Sequence, residues 1–415
     1  MTLEPRRVAA VLSVTLVGLL AVAVATASPQ PSRPAADRSA AAVATPQPSL
    51  AKPSAAATAK PTPKPTPKPV AAKWGEPQLV FPGGCGATQA GFDASGRAHI
   101  AASCDQKLIY SVGTTQGTWA TTQFDVPANR VEQDPQLAFE SNVAWLAYSR
   151  LAIGDGGCGD DGLNDVGVFY RKRTLPSGDW SDPKRIGQAS DHLMAFRVHG
   201  TTLHLIVTTQ GDGAVYYELV NGSGTHRYRI PGASSTSLRV GHDGRARIAY
   251  QANGTLRVAT FTGSGLSSVK VPATAVLDAG LALDARDHVH LIYSRHADWS
   301  TGGCADGGDD DPNAGVYYVT NASGAWRTER LTKELGSVSF QVDAKTGEVR
   351  AALGLDSGMA YYTRAPGGAW RHEKLTANGY GPVLTRDPAS GRLLVVYSGG
   401  TGATSEGIYA ISKGG

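Results

Sequence analysis

The sequence predicts an all-β fold, a seven-bladed β-propeller, with six or eight blades as the alternatives. Three observations predict it. Apolar residues occur in short alternating runs, and 50 of the 415 residues are glycine, which is typical of many short strands and turns. A Gly-x-Trp turn recurs along the chain. Finally, the last repeat has only three of its four strands, and residues 74–81, before the first repeat, match the missing one.

The N-terminus has the pattern of a secretory signal peptide over residues 1–27. Arg6 and Arg7 precede an uncharged apolar stretch, residues 8–24, and Ala25-Thr26-Ala27 follows as a cleavage site. An uncleaved membrane anchor is the alternative, because about 20 uncharged residues can span a bilayer. The sequence therefore predicts a secreted, extracellular protein, which would be associated with the cell surface and its membrane if the segment stays uncleaved.

Residues 28–73 are built mainly from Pro, Ala, Lys, Ser and Thr, a composition that favours extended, disordered linkers. Residues 1–73 carry nine Lys and Arg and two acids, a net charge of +7, which leaves −3 of the chain's total of +4 for residues 74–415. The basic charge therefore belongs to the leader and linker, and it predicts no nucleic-acid binding by the remaining domain, residues 74–415.

The recurring turn marks the period of the repeat. Its full copies end at Trp119, Trp180, Trp326 and Trp370, degenerate copies lie at His226 and near Leu266, and Trp74 begins the series. The spacings are 45, 61, 46, 40, 60 and 44 residues, so two intervals are long by a similar amount. Repeats of about 45 residues are typical of β-propellers.

Each repeat contains four predicted antiparallel strands, here named A to D. Seven A–B units recur, from GFDASGRAHIAA to VLTRDPASGRLLVVY, and C strands recur as sequences such as GVFY and GVYY. After Trp370 the chain supplies only strands A, B and C before it reaches Gly415. We therefore expect residues 74–81 to provide the missing D strand and close the ring, because closure removes the exposed edges of an open sheet.

The recurring aromatic and histidine residues are interpreted as structural. The Trp residues are expected to pack between blades, and His99, His204 and His290 occupy one repeated position at the start of B strands.

This pattern resembles the sialidase-like propellers with bacterial neuraminidase repeats, the Asp-box family. In that family the C–D turn carries Ser-x-Asp-x-Gly-x-x-Trp, whereas the best copy here, Asn321 to Trp326, lacks the Asp and one residue between Gly and Trp. The resemblance implies a propeller over residues 74–415. Sialidases hold the substrate carboxylate with three arginines, use a Tyr activated by a Glu as the nucleophile and use an Asp as the acid. No motif assigns these roles to residues of this sequence.

Two similar insertions account for the long intervals. They lie between strands B and C of the second and fifth repeats; both begin Tyr-Ser-Arg, contain Gly-Gly-Cys-x-Asp and end at Gly-Val. The B–C loops and the D–A links emerge on one face of a propeller, and long loops on a rigid scaffold often carry binding residues. The sequence therefore places the candidate site on that face.

All four cysteines are expected on the same face. An even number of cysteines in an exported chain indicates disulfides. We predict the pairs Cys85–Cys104 and Cys158–Cys304, the second joining the two insertions.

The insertions are also rich in aspartate. The residues concerned are Asp155, Asp160, Asp161 and Asp165 in the first and Asp306, Asp309, Asp310 and Asp311 in the second. Carboxylate oxygens set among glycines suit Ca²⁺, although their spacing matches no EF-hand. Bound Ca²⁺ and a solvated acidic loop are the two alternatives, and no other cofactor is predicted.

Further candidates on this face come from strand ends and insertion roots. Arg150 and Arg295 are the leading ligand-binding pair, since a guanidinium is a rigid donor fork for carboxylate or sugar oxygens; the alternative is that each pairs with acids just downstream and orders its own loop. The other candidates are Arg130, Glu132, Asp134, Asp191, His192 and Tyr380.

Together these features predict a monomeric, secreted or surface-tethered binding module for an extracellular glycan or protein. A sialidase-like exo-glycoside hydrolase using the same face is one alternative. A structural surface protein without a small ligand is another.

Overall fold

The computed structural model describes residues 72–114, 117–154, 163–296, 311–399 and 407–414. Within these residues 28 strands form seven four-stranded antiparallel sheets, and there is no helix. The protein is therefore an all-β, seven-bladed propeller, as predicted. No membrane-spanning helix is found in this part of the chain. The predicted signal peptide, 1–27, and residues 28–71 of the predicted linker lie outside the described residues.

Blades 1 to 3 follow the predicted repeat in chain order from strand A to strand D. Blade 1 comprises β2 (Cys85–Phe92), β3 (Ala98–Cys104), β4 (Lys107–Gly113) and β5 (Trp119–Gln123). Blade 2 comprises β6 (Arg130–Glu140), β7 (Val143–Ile153), β8 (Leu163–Thr174) and β9 (Lys184–Ile186). Blade 3 comprises β10 (Asp191–His199), β11 (Thr202–Thr209), β12 (Val215–Asn221) and β13 (Gly224–Arg229).

Blades 4 to 7 continue the same order. Blade 4 comprises β14 (Ala233–Val240), β15 (Ala246–Ala252), β16 (Thr255–Phe261) and β17 (Leu266–Thr274). Blade 5 comprises β18 (Val276–Leu283), β19 (Val289–Arg295), β20 (Gly315–Thr320) and β21 (Arg327–Thr332). Blade 6 comprises β22 (Gly336–Val342), β23 (Val349–Leu355), β24 (Gly358–Arg364) and β25 (Arg371–Thr376). Blade 7 comprises β26 (Tyr380–Arg386), β27 (Leu393–Ser398), β28 (Gly407–Lys413) and β1 (Gln78–Pro82).

The ring closes as the sequence predicts, because β1 pairs antiparallel with β28 and completes blade 7. The paired part of this strand starts at Gln78. Upstream of it, Trp74 forms an isolated antiparallel bridge to Lys413 of β28. Neighbouring A strands contact each other around the ring, including β2 with β26. These inner strands surround a central channel, and the apolar core lies between adjacent blades.

Tryptophans pack between blades in the expected way. Trp180 lies edge-on to Tyr110 of blade 1, Trp370 to Tyr318 of blade 5 and Trp74 to Tyr361 of blade 6, with ring centroids 4.8, 5.3 and 5.1 Å apart. Each indole thus contacts a C-strand tyrosine of the preceding blade. Edge-to-face pairs of this kind stabilise beyond the area they bury.

Replacing Trp74 with alanine should therefore weaken ring closure. We expect the free energy of unfolding to fall by about 2–3 kcal/mol, less than for a fully buried tryptophan, because the indole is half-buried. Chemical denaturation measures the change, with Tyr380→Ala as a control because that ring is exposed. An unchanged free energy in Trp74→Ala would contradict the closing role of this segment.

The three repeated histidines lie inside the blades. His99, His204 and His290 are buried, and Nδ1 of each is hydrogen-bonded to the hydroxyl of a tyrosine on the adjacent C strand: Tyr110, Tyr217 and Tyr318. Burial lowers the pKa of all three imidazoles, that of His204 to about 4. They are therefore neutral structural groups, in accord with the interpretation from the sequence.

The A–B turns carry a recurring aspartate that organises their backbone. Oδ1 of Asp93, Asp284 and Asp343 each accepts hydrogen bonds from two backbone N–H groups of its own turn, at 2.8–3.0 Å. In the C–D turn of blade 5, Asn321 instead accepts a hydrogen bond from the N–H of Val289. The aspartate turns of this propeller therefore lie between strands A and B.

Candidate functional site

The candidate site lies on the face where the B–C loops and D–A links emerge, here called the insertion face. Part of it falls in the described residues: both ends of the two insertions, the starts of the A strands and the D–A links. Residues 155–162 and 297–310, which include Asp155, Asp160, Asp161, Cys158, Cys304, Asp306, Asp309 and Asp310, lie outside them. The remaining candidates fall within the described ranges.

Three candidates come together in a cluster that we call the His192 clamp, consisting of Asp134, His192 and Asp165. The imidazole Nε2 lies 2.9 Å from Asp134 Oδ2, and Nδ1 lies 2.8 Å from Asp165 Oδ1. Asp134 is on β6, Asp165 on β8 and His192 on β10. The clamp therefore ties the root of the blade 2 insertion to two inner strands of adjacent blades.

The backbone at Asp134 has an unusual conformation. Its φ of 55° is in the left-handed region, and of the eight such non-glycine residues in the described chain it alone lies within a strand. The ladder between β6 and β7 shifts register between Gln133 and Gln136, a β-bulge around Asp134. Bulges re-aim side chains, and strained backbone persists where its surroundings enforce it, often at functional sites. Here the bulge lets the Asp134 carboxylate reach His192.

A second bulge sets the position of Asp165. Strands β7 and β8 extend beyond the Arg150–Gly167 pair, and the ladder resumes with Leu151 opposite Asp165, so Val166 is the extra residue. The side-chain oxygen Oε1 of Gln210, in the blade 3 B–C turn, accepts a hydrogen bond of 2.9 Å from the Asp165 N–H. The first insertion therefore begins as a continued hairpin that is anchored to blade 3.

The electrostatics of the clamp favour a charged histidine. Hydrogen bonding to Asp134 is the largest cause that raises the pKa of His192, to about 9, with a further contribution from Asp165 and against the effect of burial. At neutral pH both ring N–H groups donate to carboxylates, so the imidazole has no free nitrogen for general-base chemistry. Asp134, with 36% of its side chain exposed, presents carboxylate to solvent as an acceptor for a ligand.

The raised pKa of His192 predicts a loss of stability in alkaline solution. Because the folded-state pKa, about 9, exceeds the ordinary value of 6.5, the contribution is fully present below pH 6.5 and is lost as pH rises through 9. We expect roughly 2 kcal/mol after allowing for solvent screening of the exposed Asp134. Chemical denaturation of wild type and His192→Gln between pH 6 and 10 measures this contribution as the difference between their free energies of unfolding. A difference that does not change with pH would contradict the clamp.

Arg150 and Glu132 form a buried ion pair. Glu132 is 0% exposed, and Nε of Arg150 donates to its Oε1 at 3.0 Å, while the second contact, from Nη2, is shorter still. The guanidinium lies over the Phe169 ring, 4.2 Å from its centroid. The alternative interpretation from the sequence is that Arg150 pairs with an acid just downstream in its own loop. Arg150 does pair with an acid, but that acid is Glu132, which lies upstream on strand β6.

The other candidates are dispersed over the face. Nη1 of Arg295 lies 3.5 Å from an oxygen of Asp311, downstream in its own insertion. Arg130 begins β6 and donates to the carbonyl of Asn129. Tyr380 begins β26 and is 62% exposed. The structure thus brings Arg150 and Arg295 to separate acidic partners, in blades 2 and 5.

Asp191 is directed away from its neighbour His192 into the protein. Both oxygens of this buried carboxylate accept hydrogen bonds of 3.0 Å from Arg227, whose Nη1 also donates to buried Glu218 at 2.8 Å. Burial is the main cause that raises the pKa of Glu218 to about 7, and the charge of Asp191 adds to it. Asp191 is therefore part of an internal ion cluster of blade 3.

Metal and disulfide predictions have different outcomes. Cys85 and Cys104 form the predicted disulfide, between residues directly opposite each other on β2 and β3. The Cys158–Cys304 pairing lies outside the described residues. Among the residues that the structure describes, no group of three or more His, Cys, Asp or Glu side chains is arranged to hold a metal ion. The Ca²⁺ hypothesis therefore rests on the acids of the insertions and stays a prediction.

Sequence reasoning missed Gln210, Glu218 and Arg227. A charged residue inside the apolar C strand AVYYELV was an available signal for Glu218, because a charge in a pleated core needs a partner. No sequence signal marked Gln210, which reaches Asp165 from a different blade.

Comparison with known proteins finds remote structural likenesses and no match in sequence. No protein-family model matches the sequence, and no curated protein matches it significantly. Among solved structures the chain is similar to the NanB sialidase from Streptococcus pneumoniae, with 11% identity, coverage of 81% of this chain and 70% of that chain, and a TM-score of 0.43. It is also similar to Trypanosoma rangeli sialidase, with 8% identity, coverage of 80% and 55%, and a TM-score of 0.46.

Propellers with other descriptions are comparably similar. The Dos1 propeller has 9% identity, coverage of 76% of this chain and 75% of that chain, and a TM-score of 0.49. The Cps50 (Swd1) β-propeller domain of Myceliophteria thermophila has 11% identity, coverage of 80% and 99%, and a TM-score of 0.48. All four likenesses have TM-scores below 0.5 and identities of 11% or less, so the assignment of a seven-bladed β-propeller rests on the seven four-stranded sheets of this chain itself.

Proposed function

We propose that this protein is a binding module whose insertion face takes an extracellular glycan or protein. The observation that carries the proposal is the His192 clamp, in which a strained, bulged strand holds a part-exposed carboxylate at the root of a long acidic insertion. Ordering three side chains from two blades on a surface costs conformational entropy. This cost is offset when the site binds a ligand, because a carboxylate that is already fixed loses less conformational entropy on binding than a free one.

The chemistry of the face suits hydroxyl-rich or cationic ligands. Asp134 accepts hydrogen bonds, and sugar hydroxyls, lysine and arginine donate them. Tyr380 offers an exposed aromatic ring on the same face, and aromatic rings provide contact area at low entropic cost in binding sites. The sequences of the two insertions contain further acids, from Asp155 to Asp310, which lie outside the described residues.

The proposal includes an exported location. The leader at residues 1–27 and the Pro-rich segment at 28–73 support secretion, or tethering on a stalk if the leader remains in the membrane. Ca²⁺ bound by the insertions would then be available outside the cell. If so, adding calcium to a chelated sample raises the melting temperature, and an unchanged temperature removes the metal from the proposal.

Sialidase-like hydrolysis is the alternative function. It would require arginines that are free to hold a substrate carboxylate, whereas Arg150 and Arg295 each have an acidic partner. Their engagement favours binding over catalysis at this face.

A glycan array and a fluorogenic sialoside assay, run on the same purified protein, separate the possibilities. If the protein is a binding module, we expect selective signals on the glycan array that are weaker for the Asp134→Asn and Tyr380→Ala variants. We expect no turnover of the sialoside. Turnover that disappears in Arg295→Gln, or in an Arg150→Gln sample shown to be folded, would contradict the binding function and show hydrolysis at this face. A protein that binds neither glycans nor secreted proteins would be a structural surface component, and the proposal would be wrong.

A further inference from the structure

The central channel contains a pair of arginines that no part of the proposed function uses. Residues from all seven inner strands line a cavity of about 390 Å³, and Arg197 of β10 and Arg239 of β14 are among them. The two residues occupy the same position of the repeat in adjacent blades, as the sequences FRV and LRV show. At this position the other blades have Gly91, Ala138, Ala282, Gln341 and Thr385. Most of the ring is therefore small, which leaves room for two guanidinium groups.

Neither arginine has an acidic partner among the described residues. Nη1 of Arg197 donates to the carbonyl of Phe196, and Nη1 of Arg239 donates to the carbonyl of Leu238. In the described part of the chain neither guanidinium lies within ion-pair distance of a carboxylate, unlike Arg150, Arg227, Arg247 and Arg386. Two neighbouring positive charges therefore line one cavity, and neither is in contact with a carboxylate of the described chain. The one acid among the described residues that line the cavity, Asp287, accepts hydrogen bonds from His242 instead.

The electrostatic cost of this arrangement is visible in both groups. Burial lowers the pKa of Arg239 to about 10, and burial followed by the charge of Arg239 lowers the pKa of Arg197. A guanidinium stays protonated in proteins, so both groups are cations at neutral pH. Both arginines are part-buried, and two like charges held near each other repel, so an anion that binds both guanidinium groups stabilises the folded protein.

The polar groups of the cavity also fit an oxyanion. The side-chain nitrogen of Gln341 is buried and has no hydrogen-bond partner among the described residues, and Gln89 and Ser339 also line the cavity. A guanidinium is a planar fork that matches phosphate, sulfate and carboxylate oxygens. The cavity is many times the volume of one water molecule, about 30 Å³, so a small oxyanion fits.

We infer that the central channel binds a small oxyanion, of the sulfate and phosphate class, between Arg197 and Arg239. The anion bridges blades 3 and 4 and neutralises the channel. This site lies at the ends of the A strands nearest the A–B turns, because His242 and Asp287 of those turns also line the cavity, and it is therefore distinct from the insertion face.

The test is calorimetric and thermal titration of the purified protein with sodium sulfate and, separately, sodium phosphate, with sodium chloride holding the ionic strength constant. Wild type is expected to bind one anion and to show a saturable rise in melting temperature. Arg197→Gln and Arg239→Gln should each raise the dissociation constant at least tenfold. Each should also melt above wild type without anion, because a like-charge repulsion is removed.

Arg371→Gln, which removes an exposed arginine, is the matched control and should titrate as wild type does. The inference is overturned if wild type shows no saturable binding of either anion, or if the double variant Arg197→Gln/Arg239→Gln keeps the wild-type response. If the double variant does not fold, the two single variants decide the question by the same criteria.

Discussion

The variant Arg150→Gln is expected to lose roughly 3–5 kcal/mol of folding free energy, because it leaves the carboxylate of Glu132 buried without its cation. Glu132 is 0% exposed and its Oε2 has no partner in the described chain, so both guanidinium contacts to Oε1 are lost at once. The contact with the Phe169 ring is lost as well. Urea denaturation at pH 7.5 measures the loss.

The double variant Glu132→Gln/Arg150→Gln distinguishes an ion pair from simple packing. Because both charges are absent, it should be considerably more stable than Arg150→Gln alone, and the coupling energy of the cycle should be at least about 1.5 kcal/mol. If Arg150→Gln folds as stably as wild type and only ligand binding is lost, the arginine is a recognition residue and its structural assignment is wrong.

The second large effect is expected at Arg227. Replacing it with glutamine leaves Asp191 and Glu218 buried and close to each other, since one nitrogen of Arg227 contacts both carboxylates at 3.0 and 2.8 Å. We expect a loss of about 3–5 kcal/mol at pH 8. The loss should be smaller at pH 5, because protonation of Glu218 removes one of the two negative charges.

Glu218 itself sets the direction of the pH dependence. Its pKa of about 7 lies above the ordinary value of 4.5, so between these values the folded state retains a proton that the unfolded chain has released. Stability therefore falls as pH rises from 4.5 to 7. Glu218→Gln should remove this slope and should partly restore the stability of Arg227→Gln at pH 8. Parallel pH profiles for wild type and Glu218→Gln would contradict the raised pKa.

The blade architecture was predictable because its signals repeat. One Gly-x-Trp turn is weak, but a series with a 45-residue period and a missing last strand leaves few folds open. The closure of β1 on β28 follows from the same count of strands. The Cys85–Cys104 disulfide follows from the even number of cysteines and from their positions just before the first repeat and at the end of its B strand. Trp74 also packs as the repeat predicts, against Tyr361 of the neighbouring blade.

The pairing within the candidate site was not predictable because two bulges change it. In blade 2 the ladder pairs Gln136 with Ala147, and continued without interruption it would place Glu132 opposite Leu151. The bulge around Asp134 places Glu132 opposite Arg150 instead. A shift of one residue exchanges the two faces of a strand, and nothing in the sequence RVEQDPQLAF specifies where the extra residue lies.

The contacts between side chains of different blades were not predictable for a different reason. His192 lies 58 residues from Asp134 in the sequence and 27 from Asp165, and the repeat says which strands are neighbours without saying which side chains meet. The sequence therefore predicts the face, and several of its residues, while the hydrogen-bond partners need the packed ring.

Binding measured with insertion-face and opposite-face variants tests the central claim most directly. With the glycan that gives the strongest array signal as the probe, the dissociation constants of wild type, Asp134→Asn and Arg286→Ala are compared; Arg286 is exposed in an A–B turn on the opposite face. The proposal predicts at least tenfold weaker binding for Asp134→Asn and a value within twofold of wild type for Arg286→Ala. Unchanged binding by Asp134→Asn, or equal losses in both variants, would contradict a ligand site on the insertion face.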